Sequence, residues 1–134
     1  MAIQATMPAI THVAVTVRNL DVSEAWYTKV LGAAPVLDED TGPFRHIVYA
    51  LGDTLLGLHG FPHLVSTEAF NERRVGLDHV AFGVANRAEL EEWVERLDAL
   101  DVAHGEIVDA HYGSGVAFRD PDNIQLELFA PPAS

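Results

Sequence analysis

Residues 12–19 read HVAVTVRN and residues 79–86 read HVAFGVAN. His, Val, Ala, Val and Asn recur at matching positions, at an offset of 67. The match runs into the next element, because Trp26 and Trp93 each follow their histidine by 14 residues. Further along, LLGLHGF (55–61) sets beside NIQLELF (123–129) at an offset of 68. This pairs Leu58 with Leu126, His59 with Glu127 and Phe61 with Phe129. A near-constant offset at both ends of a segment marks an internal duplication.

Each copy has the same order of elements. A short strand with apolar alternation comes first, at 12–17 and 79–84. A helix follows, with capping-box-like starts at Asp21 with Glu24 and at Asn86 with Glu89. In the second copy Leu90, Trp93, Val94, Leu97 and Leu100 recur at helical spacing, with Glu91, Glu92, Glu95 and Arg96 outward. The first helix carries Val22, Ala25, Trp26, Val30 and Leu31 and stops at Gly32. Trp26 and Trp93 then read as anchors of helix on sheet. Three strands follow each helix, around 34–39, 45–51 and 54–60, and around 102–109, 113–119 and 123–129. Turns at Gly52-Asp53 and at Asp120-Pro121-Asp122-Asn123 precede the last strand of each copy. The expected fold is α+β: two tandem βαβββ modules, 9–61 and 76–130, forming a curved mixed sheet around a cleft. Connector 62–75 has room for one short helix, and the whole chain (1–134) reads as a single domain. Two such modules pair within a chain or exchange between chains; a homodimer is the expectation.

Composition narrows the function. Twenty acidic side chains against eight Lys plus Arg give a net charge of −12. Lys29 is the only lysine and the arginines are scattered, which argues against nucleic acid and anionic membrane surfaces. Cysteine is absent, so disulfides, thiolate nucleophiles and Cys-ligated zinc are excluded. There is no apolar run of membrane-spanning length, and the first residues lack the pattern of a signal peptide. A cytoplasmic location is the expectation. The sequence lacks a GxSxG, a P-loop, a GxGxxG and an HExxH.

Seven histidines remain to be explained. By the repeat, His12 matches His79 and His59 matches Glu127, so a pseudo-twofold axis brings all four to the cleft. Imidazole and carboxylate suit Zn, Ni, Fe, Mn or Co better than Mg or Ca. In LELF the alternation sets Leu126 and Leu128 on one face and Glu127 on the other, with Gln125 and Phe129. A carboxylate buried there needs a partner or a metal. His46 alternates with Phe44 and Val48 toward the cleft, and His111 with Tyr112 opens the loop HYGSG (111–115); these are candidate substrate contacts. His63 and His104 are expected at the surface. Arg73 and Arg74 have Glu68 and Glu72 as nearby partners.

HVAVTVRNLDVSEAWYTKVLG (12–32), GLDHVAFGVAN (76–86) and FRDPDNIQLELF (118–129) resemble the vicinal oxygen chelate superfamily, also called the glyoxalase/bleomycin resistance/dioxygenase superfamily. The likeness spans roughly residues 9–130. It implies a divalent metal in the cleft that chelates vicinal oxygens of a small substrate. His12 then matches the first ligand position, His79 the second-module histidine and Glu127 the closing glutamate. His59 falls near the first module's closing position, as fourth ligand or base, so Glu127 and His59 are the candidate catalytic groups. Glyoxalase I enzymes usually have Glu at that last position, a departure here. Extradiol ring-cleaving dioxygenases use two His and one Glu on iron, which this chain supplies, but Ala117 stands near their active-site Tyr. Bleomycin-type resistance proteins bind drugs without a catalytic metal. Lyase or isomerase chemistry is the leading expectation, because no redox-cofactor motif is visible.

Overall fold

A computed structural model describes residues 6–133 of the chain. The first module runs β1 (His12–Thr16), α1 (Leu20–Leu31), β2 (Leu37–Asp40), β3 (Arg45–Leu51) and β4 (Thr54–Gly60). The second runs β5 (Val80–Gly83), α2 (Arg87–Ala99), β6 (Val108–Ala110), β7 (Gly113–Arg119) and β8 (Gln125–Ala130). Each module is a four-stranded mixed sheet, ordered β1-β4-β3-β2 and β5-β8-β7-β6. First and last strands pair in parallel, and the others are antiparallel. The two-module α+β reading therefore holds.

Three local expectations need correction. The N-cap of α1 is Asn19, whose side chain accepts from Val22 N, and Asp21 lies inside the first turn. Asn19 is the repeat counterpart of Asn86, which caps α2 by accepting from Glu89 N at 2.9 Å. Strand β6 is shorter than the 102–109 expected: Val102 is buried, and His104 makes only an isolated bridge to Phe118. The connector folds into turns and bends without a helix; Pro62 and the lack of apolar periodicity leave no helical face to bury.

One core serves both modules. Val15, Val17, Leu56 and Leu58 of the first join Val116, Phe118, Leu126 and Leu128 of the second, with Leu90 and Leu97 of α2. Trp26 and Trp93 pack against this core half-buried. The modules are also tied by polar bonds. Tyr27 Oη donates to Asp120 Oδ2 at 2.7 Å, and Arg18 Nε donates to Asp122 Oδ1 at 2.6 Å. The Arg96 guanidinium donates to the carbonyls of Val30 and Lys29 at the end of α1. These contacts involve α1, α2 and the β7–β8 turn. The faces that carry His59 and Glu127 are therefore left outside the shared core.

Candidate functional site

Alternation along β1 and β4 buries Val15, Leu56 and Leu58 and leaves His12, Ala14, Thr16 and His59 on the opposite face. The same rule along β8 buries Leu126, Leu128 and Ala130 and turns out Gln125, Glu127 and Phe129. Each module thus presents an open sheet face away from its helix, as the sequence implied.

Strand register corrects the match between the faces. Ala14 and Ala81 are repeat counterparts, two residues beyond His12 and His79. Ala14 pairs with Gly57, whereas Ala81 pairs with Glu127. The counterpart of Glu127 is therefore Gly57, and that of His59, beside Thr16, is Phe129, beside Gly83. The true offset at the closing strands is 70, not 68. A slip of two residues preserves every inward and outward assignment, so the apolar pattern alone did not distinguish the two.

In the second module His79 Nδ1 lies 2.7 Å from Asp78 Oδ1, and Gln125 Nε2 donates to the same oxygen at 3.0 Å. Asp78 thus holds the ring by Nδ1, and Nε2 is turned toward Glu127. That Nε2 stands 3.7 Å from Glu127 Oε2. The distance is too long for a direct hydrogen bond, so an imidazole nitrogen and a carboxylate oxygen face one another across a short gap. Glu127 is 27% exposed. A Cβ on Gly115 would come 2.7 Å from Glu127 Oε1, so the absence of a side chain at 115 makes room for this carboxylate. A groove of about 400 Å³ surrounds it, lined by Gly113, Gly115, Ala117, Tyr112 and Phe129. Tyr112 stacks on Phe129 with ring centres 6.3 Å apart, and His111 meets Tyr112 edge-on from the exposed turn.

In the first module His12 Nδ1 bonds Thr11 Oγ1 at 2.8 Å, which leaves its Nε2 free. His59 stacks on Phe44 at 4.5 Å, and His46 stands edge-on to His59 at 5.4 Å. Phe61 adjoins both Phe44 and His59. This aromatic grouping was not foreseen, although its signal was available: Phe44, His46, His59 and Phe61 share one face by alternation. Burial lowers the His59 pKa below the usual histidine value, helped by His46 and His12. The ring is therefore neutral near pH 7.

The other candidates fall elsewhere. His63 is exposed, as expected. His104 is not: it is largely buried, 2.6 Å from Asp98 Oδ1 and from the Gly105 carbonyl, which raise its pKa. Arg74 pairs with Glu68 at 2.7 Å, but Glu72 is taken by Arg119 at 3.0 Å.

The four proposed metal donors thus form two pairs. Among the described residues no three His, Asp or Glu side chains stand close enough within one chain to hold an ion. The outer edges of β1 and β5 have no partner strand among the described residues. Between them opens a largely apolar cavity of about 770 Å³, lined by Leu55, Leu77, Phe82 and Trp93 among others.

A profile of the glyoxalase/bleomycin resistance protein/dioxygenase superfamily matches residues 9–128. The chain belongs to that superfamily. Among curated proteins none matches it. A glyoxylase/bleomycin resistance protein/dioxygenase domain from Frankia sp. EAN1pec is 33% identical, with 94% of this chain and 99% of that one covered and a TM-score of 0.81. A lactoylglutathione lyase from Agrobacterium tumefaciens is 26% identical, covering 94% and 96%, with a TM-score of 0.71. A fosfomycin resistance protein from Listeria monocytogenes, 20% identical over 93% and 94% with a TM-score of 0.69, shares the fold. The glyoxalase/dioxygenase superfamily therefore accounts for the repeat, for the two sheets and for their open faces. No helix among the described residues is long and apolar enough to cross a membrane.

Proposed function

We propose that the protein is a metal-dependent lyase or isomerase acting on a small substrate with vicinal oxygens, and that a homodimer completes each site. In this reading one subunit contributes His12 and His59, and the other His79 and Glu127. The observation that carries it is the approach of His79 Nε2 and Glu127 Oε2, an imidazole nitrogen and a carboxylate oxygen 3.7 Å apart on one open sheet face. An imidazole and a carboxylate placed side by side suit Zn, Ni, Fe, Mn or Co. When bound, such an ion supplies Lewis-acid stabilisation of an anionic oxygen.

The chain's own residues do the rest. Asp78 and Thr11 hold the imidazoles of His79 and His12 by Nδ1, which orients Nε2 inward. Glu127 and the neutral His59 are the groups available to accept a proton from the substrate. His46, Tyr112 and Phe129 give the substrate an apolar bed, with His111 at its rim. The dimer rests on the two open strand edges and the apolar cavity between them, since a bare edge invites pairing. Exposed Leu55 and Leu77 at this cavity add area to bury.

A second reading, ring-cleaving dioxygenase, is favoured by the set His12, His79 and Glu127, a 2-His-1-carboxylate group. Oxygen consumption with a catechol and Fe(II) separates it from lyase or isomerase chemistry.

The test begins with protein purified without chelators. The expected content is one divalent ion per chain, removed by EDTA and restored by Ni, Zn, Mn, Co or Fe(II). Protein that neither carries nor takes up an ion at that stoichiometry refutes the reading. Gly115→Val offers a structural check. Its side chain displaces the Glu127 carboxylate, and metal affinity is expected to fall about 10- to 100-fold. Calorimetric titration measures the loss, and circular dichroism confirms the fold.

A further inference from the structure

Gly57 occupies the place where the second module has Glu127. Its backbone does not call for glycine, because it lies in regular strand and is not among the positive-φ glycines. A glycine inside a strand weakens it and usually marks a close approach. The approach here is His59. A Cβ on Gly57 would stand 3.6 Å from His59 Nε2, 3.7 Å from His59 Cδ2 and 3.4 Å from the Ala14 Cβ. The imidazole is thus turned back along its own strand, over the glycine. Phe44 stacks on it with rings 13° from parallel and supports that orientation. A methyl group at 57 would fit beneath the ring, whereas a longer side chain would take its place.

We propose that Gly57 and His59 act as one unit, in which the His59 imidazole reaches across the glycine into the position that Glu127 fills in the second module and serves as the first module's metal donor. The inference rests on the metal-dependent reading above. It makes the donor set three imidazoles and one carboxylate. A glutamate at 57 would have given two of each. A set richer in imidazole and poorer in negative charge favours Ni, Zn and Co over Mn.

The test is titration of the full-length protein with Co(II), Zn(II) and Mn(II), read by calorimetry and by the visible bands of bound Co(II). His59→Leu keeps bulk against Phe44 but removes the donor, and His59→Ala controls for packing. Both are expected to weaken Co(II) and Zn(II) at least about 10-fold and to change the Co(II) spectrum. Gly57→Glu combined with His59→Ala is expected to recover tight binding, with Mn(II) gaining relative to Zn(II). The inference is overturned if both His59 variants bind within twofold of wild type while His79→Ala does not bind. It is also overturned if the double variant recovers nothing. Absence of metal binding by wild type would overturn the proposed function, and this inference with it.

Discussion

Mixing two inactive variants, His12→Ala and Glu127→Gln, is expected to regenerate roughly a quarter of the wild-type sites. Each homodimer alone has a lesion in both sites. Loss of one donor removes several kcal/mol of charge stabilisation, so each variant should fall by about 10³-fold or more in kcat/KM. In a heterodimer with sites shared between chains, both lesions fall in one site and the other is intact. Random exchange makes half the dimers heterodimers, and half of their sites whole. If each chain instead builds its own site, every site keeps one lesion and nothing returns. The count needs no substrate, because tightly bound Co(II) per chain gives the same fraction. Differently tagged chains, co-expressed and purified through both tags, should hold one tight ion per dimer. The geometry behind this result is the separation of donors into two pairs, with His12 and His59 on one open face and His79 and Glu127 on the other.

Much of this was legible in the sequence, and what was not has identifiable causes. His12 and His79 are visible because their flanking strands are near-identical. Glu127 is visible because LELF alternates. Its counterpart was misread as His59, since a two-residue slip leaves Leu56 and Leu58 on the buried face either way. Only the hydrogen-bonded register, Ala14 with Gly57 and Ala81 with Glu127, fixes the match. Asn19 was overlooked as a cap although the repeat places it opposite Asn86. Asp21 with Glu24 mimics a capping box, but the chain is already helical at Asp21. His104 seemed a surface residue because it precedes a glycine. Its partner Asp98 lies only six residues earlier, near the end of α2, and the turn after the helix brings the two together. The ties between modules left no local signal at all, since Arg18 and Asp122 are 104 residues apart in the chain.

Those ties lead to the largest expected effect on stability, at Asp120. Its carboxylate is buried and accepts three bonds: from Tyr27 Oη at 2.7 Å and from the backbone N–H groups of Asp122 and Ile124, both at 2.8 Å. Burial raises its pKa, and the three donors oppose that rise. Asp120→Ala removes the acceptor and leaves the donors. Tyr27 is itself among the most buried side chains, so its hydroxyl would lose its partner in an apolar setting. Each stranded donor costs about 1–3 kcal/mol, and the turn that aligns β7 with β8 loses its internal bonds. A loss of about 3–5 kcal/mol is expected, or on the order of 10 °C in Tm for a domain of this size. Asp120→Asn keeps one oxygen for the two backbone donors and should lose much less. Tyr27→Phe should fall between wild type and Asp120→Ala, because it removes one donor and leaves the turn bonded. In the double variant Tyr27→Phe with Asp120→Ala, the losses should be less than additive, since the two groups share a bond. Urea melts of the four variants give that coupling directly. Full additivity would show that the Tyr27–Asp120 bond adds nothing to the joint between the modules.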